Sequence, residues 1–133
     1  MHAIDFGSKL TLIQVDCQRM AYQATYYFYL KIGTKITQQI FNQFESADGQ
    51  QLDRYSAALV TGLPTFRNKD KTLFILRKYR GFGDCGQYLE YRLAAGRFVL
   101  NKLRVNECAE TFPSAPTSPQ NWPIRKKAVA PRP

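Results

Sequence analysis

The residues most able to do chemistry lie in the glycine-rich segment Arg80-Gly-Phe-Gly-Asp-Cys-Gly86. Residues 81–86 match the pattern G-x-G-x-x-G, and an acid, Glu107, follows about 20 residues later, as in dinucleotide-binding units. In such a unit the last glycine opens a helix whose free N–H groups bind the pyrophosphate. A dinucleotide site therefore requires residues 87–95 to be helical.

Residues 87–95 favour a strand over a helix. Leu89 and Leu93 have helical spacing, but residues 89–93 also alternate between apolar and charged side chains. Residues 97–105 then read as a clear strand, which makes the whole segment a β-hairpin. We therefore predict a hairpin here and no bound cofactor.

The cysteines test this hairpin. In an antiparallel hairpin, the residue numbers of each facing pair have the same sum. For this hairpin the expected sum is about 190, or 191 with a bulge at Gly96. Cys85 and Cys108 should therefore lie within a few residues of facing each other. A disulfide between them would imply an oxidising compartment, and two buried reduced thiols are the alternative. The third cysteine, Cys17, is expected to be a small buried residue, or to have lost a partner upstream.

Other catalytic chemistry has little support. His2 is the only histidine and lies at the N-terminus, which argues against Ser–His and Cys–His nucleophiles and most zinc sites. Asp84 beside Arg80 could act as an acid or base, but a carboxylate that caps the turn is favoured. Asp48 and Asp53 lack the spacing of a calcium loop, so no metal is predicted.

The elements that position these residues read as β-strands. A chain of 133 residues forms one domain, which we place at residues 1–111, followed by an extended Pro-rich basic tail at 112–133. The predicted fold class is mainly β, an antiparallel sheet, with a β-rich α+β fold as the alternative because Lys35–Phe44 also suits a short helix. Further strands are predicted at Lys9–Val15, Ala24–Ile32 and Thr72–Arg80, and turns or loops at Asp16–Arg19, Ala47–Ser56, Gly62–Thr65 and Arg67–Lys71.

For two of these strands, the sequence pattern predicts which faces are covered and which face outward. Thr72–Arg80 is apolar on both faces and is therefore expected inside the sheet. Ala24–Ile32 alternates, so that half of its aromatic residues face outward, among them Tyr27 and Tyr29. With Arg77 and Arg80 nearby, outward tyrosines could stack on bases or pack on a partner protein.

The charge is strongly positive, with 19 Lys and Arg against 10 Asp and Glu. No apolar run is long enough to cross a bilayer, so we expect a soluble protein. The tail residues Arg125, Lys126 and Lys127 could contact anionic lipid or nucleic acid, but three charges are fewer than the four to eight typical of a lipid-binding cluster. The start of the chain lacks the pattern of a signal peptide, so an exported protein would be present here in mature or truncated form.

The chain contains a set of short motifs, namely the Arg80–Gly86 string, Gly96 before Phe98, Cys108, Asn121-Trp-Pro123 and the segment Cys17-Gln-Arg-Met-Ala-Tyr-Gln23. Together they resemble a bacterial family, "domain of unknown function 1176". The resemblance covers about residues 10–124 and implies an exported β-rich protein with a Cys85–Cys108 disulfide. The chain departs from the family where Tyr88 or Tyr91 replaces a Trp and Ala95 replaces an Asp. The family has no established activity.

Together these features predict a non-catalytic, exported binding or structural module of the periplasm or cell envelope. It would be an accessory subunit that docks on a protein partner or larger assembly, with peripheral membrane association open. The alternatives are a basic β domain that binds nucleic acid and an uncharacterised enzyme with a site near Arg80 and Asp84. The predicted partner-binding residues are Tyr27, Tyr29, Arg77, Arg80, Asp84, Trp122, Arg125, Lys126 and Lys127.

Overall fold

A computed structural model describes residues 2–5, 9–46, 52–81, 83–108 and 118–127. For Ser46, Lys126 and Lys127 it describes the backbone alone. These parts of the chain form eleven β-strands and two short 3-10 turns. The strands are β1 His2–Asp5, β2 Leu10–Arg19, β3 Ala24–Ile32, β4 Lys35–Gln38, β5 Phe41–Ser46, β6 Leu52–Ala57, β7 Val60–Arg67, β8 Thr72–Lys78, β9 Gly86–Ala94, β10 Arg97–Asn106 and β11 Ile124–Lys127.

The strands pair antiparallel throughout the described residues, which confirms the predicted mainly β fold. One nine-stranded sheet has the order β1-β2-β3-β7-β8-β9-β10-β11, with β4 also paired to β3. The strands β5 and β6 form a separate two-stranded hairpin. β8 lies between β7 and β9, so it is an internal strand as its two apolar faces predicted.

Alternation along the strands builds one core. In β3, Tyr26, Phe28 and Leu30 are buried because successive side chains point to opposite faces of the sheet. Phe41 of β5 lies at the centre of this core, and its ring centroid is 5.0 Å from that of Tyr91. The β5–β6 hairpin therefore covers the inner face of the sheet with its own apolar side chains.

The hairpin of β9 and β10 is confirmed, and the helical alternative for residues 87–95 is wrong. Arg97 pairs with Ala94 next to the two-residue turn, and a bulge between Leu100 and Lys102 shifts the register by one residue. Below the bulge Asn106 pairs with Gly86. This shift brings the next residues together, and Cys85 and Cys108 form a disulfide with their Cα atoms 5.0 Å apart.

Two predicted turns and part of a predicted loop are wrong. Residues 16–19 continue β2, where Cys17 is the extra residue of a bulge between Asp16 and Gln18. Residues 62–65 lie inside β7. The proline is tolerated because pairing with β3 ends at Gly62, so at Pro64 one edge of β7 has no paired strand among the described residues. Residues 52–56 belong to β6, whose polar side chains face solvent while it pairs with β5. The rest of that predicted loop lies outside the described residues.

Part of the predicted tail belongs to the domain. Trp122 is 1% exposed and is among the largest fully buried side chains, and β11 pairs with β10. The Trp122 backbone N–H donates to the Pro119 carbonyl, which closes a short turn before β11. Residues 109–117 and 128–133 lie outside the described residues. Within the part of the chain that is described, no helix is long and apolar enough to cross a membrane.

Candidate binding surfaces

The predicted outward tyrosines lie on the outer face of β3. Tyr27 pairs with Val15 and Tyr29 with Ile13, so these four side chains share one face. Ile36 of β4 pairs with Lys31 and extends the same face to the sheet edge. We call the set Ile13, Val15, Tyr27, Tyr29 and Ile36 the outer tyrosine face.

This face is apolar but partly open. Tyr27 and Tyr29 are half-buried, whereas Ile36 is 57% exposed. The Gln38 amide donates to the Tyr29 hydroxyl at 3.2 Å, which orients that ring along β4. Every residue of β4 is exposed, and among the described strands β4 pairs only with β3. The outer tyrosine face therefore ends at a strand whose second edge has no paired strand in the described part of the chain.

Arg77 does not lie beside the tyrosines. It faces the inner side of the sheet beneath the β5–β6 hairpin, where its guanidinium donates to the Phe44 carbonyl and to the Tyr55 hydroxyl, both at 3.2 Å. The Tyr55 hydroxyl donates in turn to the Gln43 amide oxygen at 3.3 Å. Glu45 lies 3.7 Å from the same guanidinium. Arg77 thus anchors the hairpin to the sheet.

A second set of hydrogen bonds supports the same contact. The Gln87 amide donates to the Phe44 carbonyl at 3.1 Å and to the Tyr79 hydroxyl at 3.0 Å. The Tyr91 hydroxyl donates to the Asn42 carbonyl. Burial raises the pKa of both Tyr79 and Tyr91. The sequence did not point to this set, because glutamine is usually a surface residue and its burial here depends on the docking of a distant hairpin.

Arg80 and Asp84 form a bidentate salt bridge. The guanidinium donates to both carboxylate oxygens, at 2.9 and 2.5 Å, and the Asp84 side chain is only 8% exposed. This bidentate bond raises the pKa of Arg80. The Asp84 carbonyl also accepts from the Asn106 amide at 2.7 Å. The carboxylate therefore binds the Arg80 guanidinium within the turn.

The last glycine of the loop has a packing role. Gly86 has φ +154°, and a Cβ atom there would lie 2.2 Å from the Arg77 carbonyl oxygen. Because such a distance is far inside van der Waals contact, only glycine lets the chain re-enter the sheet beside β8. The dinucleotide interpretation is wrong, since Gly86 opens a strand and not a helix.

The C-terminal residues predicted to bind a partner are in two different environments. Trp122 is a core residue, so the expectation that it contributes to a surface does not agree with the structure. Arg125 is exposed, and its guanidinium lies 3.4 Å from the Glu107 carboxylate. Lys126 and Lys127 pair with Leu103 and Lys102 of β10. Their backbone thus forms the outermost strand of the sheet.

Cys17 is exposed, which corrects the prediction that it is buried. It lies at the bulge of β2, where the extra residue has no pairing partner in the β3 register. Within the described ranges no cluster of three or more His, Cys, Asp or Glu side chains could hold a metal ion.

A second surface was missed by the sequence analysis. Phe74 of β8 and Tyr88 of β9 point outward with their ring centroids 5.5 Å apart and their planes at 16°. The Arg67 guanidinium carbon lies 4.9 Å from the Phe74 centroid. We call the set Phe74, Tyr88, Arg92, Lys102 and Arg104 the outer basic face. The second apolar face of β8 was the signal, but the sequence could not tell whether that face is covered.

Comparison with known protein families, with curated proteins and with solved structures gives no match for this chain. Membership of the family that the glycine-rich string resembles stays a prediction.

Proposed function

We propose that the protein is an exported, non-catalytic binding module that docks on a protein partner through the outer tyrosine face. The observation that carries this proposal is the alternation in β3, where Tyr27 and Tyr29 face outward while the residues between them fill the core. Tyrosine is enriched at protein interfaces and lysine is depleted. Its ring supplies a large contact area with few rotatable bonds, which lowers the entropy lost on binding.

The surroundings of the two tyrosines support a protein partner. Ile13, Val15 and Ile36 give the face an apolar floor, and Lys31 is the one charged residue of β3 on that side. An apolar patch with a polar rim is typical of surfaces that bind other proteins. The open edge of β4 adds backbone N–H and C=O groups that a partner strand could pair with.

The contacts of the residues most able to do chemistry support a non-catalytic role. Arg80 and Asp84 bind each other, and Arg77 anchors the β5–β6 hairpin. Export is supported by the Cys85–Cys108 disulfide, because such bonds persist mainly in oxidising compartments. Alkylation of thiols in intact cells, followed by mass spectrometry, should find Cys17 modified and the other two cysteines protected until a reductant is added.

The partner is tested by quantitative affinity capture from the envelope fraction of the native cells. The wild-type chain should enrich a protein that the variant Tyr27→Ser/Tyr29→Ser does not, because the substitutions remove two aromatic contacts from the face. The matched control is Arg92→Gln, which changes an exposed residue of another strand and should keep the partner. Equal enrichment by the tyrosine variant and the wild type would contradict the proposal.

A further inference from the structure

We propose that the outer basic face binds single-stranded nucleic acid, with bases on the Phe74 and Tyr88 rings and phosphates on the flanking cations. This inference is independent of the proposed protein partner, because the outer basic face is built by β8, β9 and β10 and the outer tyrosine face by β2, β3 and β4. The two surfaces share no residue.

The register of the strands arranges the outer basic face in rows. Phe74 pairs with Glu90, which pairs with Lys102, so one row runs from a ring to a cation. The next row runs from Leu76 through Tyr88 to Arg104. Neighbouring strands lie about 4.8 Å apart. A ring in each row is therefore followed, one or two strands away, by a basic side chain on the β10 side.

The two rings form a continuous aromatic surface. Phe74 and Tyr88 are diagonal neighbours, nearly parallel, and both are partly exposed. Burial is the largest contribution to the raised pKa of the Tyr88 hydroxyl, so that group stays neutral at physiological pH and does not repel phosphate. Every nucleobase can stack on such a ring, and sheet faces with aromatic residues at their centre bind two or three bases in other proteins.

The charge around the rings is complementary to a phosphate backbone. The basic side chains on this side of β8, β9 and β10 are Lys78, Arg92, Arg97, Lys102 and Arg104, against the single acid Glu90. The Glu90 carboxylate accepts a hydrogen bond from Asn101. Arg67 is bound by Asp70, so it supports the Phe74 ring and adds little net charge.

These features favour single strands over other polyanions. An acidic peptide or an acidic polysaccharide would use the cations but has no planar bases to place on the rings. Paired bases in a duplex are stacked on one another and cannot reach the rings without unpairing. The proposed ligand is therefore a strand of DNA or RNA with accessible bases.

The test is fluorescence anisotropy with labelled oligo-dT of 12 nucleotides at several salt concentrations. The wild-type chain should bind, and log Kd should rise with log salt because bound phosphates release counterions. Phe74→Leu and Tyr88→Leu, which keep an apolar side chain but remove the ring, should each weaken binding by about fivefold to 100-fold. Lys102→Gln should weaken binding and reduce the salt slope by about 0.7.

Matched controls separate stacking from simple charge attraction. Tyr27→Leu on the outer tyrosine face and Lys31→Gln beside it make the same chemical changes and should leave oligonucleotide binding unchanged. All variants should keep the wild-type circular dichroism spectrum and melting temperature. The proposal is overturned if no binding is seen at low salt, if the two leucine variants bind like the wild type, or if heparin and duplex DNA bind as tightly as the single strand.

Discussion

The Cys85–Cys108 disulfide should provide a large part of the stability of this protein. The two residues are separated by 23 positions, so the bond closes a loop of about 24 residues in the unfolded chain. In the chain-entropy treatment, closing a loop of that length lowers the unfolded-state entropy enough to stabilise the fold by about 3.4 kcal/mol. For a domain of this size, the loss of that contribution should lower the melting temperature by about 10 to 15 °C.

The perturbation is Cys85→Ala/Cys108→Ala in a Cys17→Ser background. That background removes the exposed free thiol, which could otherwise exchange with the disulfide. Urea unfolding can be followed by the fluorescence of Trp122, the only tryptophan, which is buried in the folded state. We also expect a larger m-value for the double variant, because its unfolded chain is no longer held compact by the cross-link.

Reduction of the background variant supplies the matched comparison. It breaks the cross-link but leaves both sulfur atoms, so it separates the loss of the bond from the cavity left by the buried Cys85 side chain. Reduced background protein and the double variant should agree within about 1 kcal/mol. If the double variant is within about 1 kcal/mol of the oxidised background protein, the entropic reasoning is refuted.

Three further predictions follow from single positions. Trp122→Ala should lower the free energy of unfolding by about 3 to 5 kcal/mol and Trp122→Phe by much less, as measured by urea unfolding with circular dichroism. Equal losses in the two variants would contradict a core role for Trp122. Gly86→Ala should prevent folding or cost more than about 3 kcal/mol, whereas Gly33→Ala, which also has positive φ but no atom within 4 Å of its Cβ, should cost about 1 kcal/mol. Burial raises the pKa of Tyr91, so above a pH of about 10 the folded state keeps a proton that the unfolded chain releases. The free energy of unfolding should therefore fall as the pH rises above about 10, by up to about 1.4 kcal/mol per pH unit from this residue. In Tyr91→Phe this decline should be shallower, and an unchanged pH dependence would count against it.

Local patterns predicted those parts of the fold in which strand alternation and a tight turn agree. The hairpin of β9 and β10 is such a case, because apolar residues alternate along β9, β10 is rich in apolar residues, and Ala95-Gly96 forms a two-residue turn in which both residues have positive φ. β6 was missed because its exposed side chains are polar and its place depends on pairing with β5. Local composition cannot report that pairing.

The surfaces were harder to predict than the strands. Alternation in β3 correctly placed Tyr27 and Tyr29 outward, since one face of that strand clearly belongs to the core. β8 gave no such distinction, because both of its faces are apolar, and only the tertiary structure shows that Phe74 lies outside the core. Trp122 was assigned to a surface because its neighbours are prolines and polar residues, yet the packing of one large ring outweighed that local composition.

Four residues of the glycine-rich string have structural roles that need no ligand. Asp84 binds Arg80, Cys85 is bonded to the end of β10, and Gly86 lets the chain pass close to Arg77. Asp84, Cys85 and the last glycine of the motif thus all serve the entry into β9. These loop residues hold the hairpin, and the two proposed binding surfaces lie on the outer faces of the strands. Those faces are built by different strands, so a substitution on one should leave binding at the other unchanged.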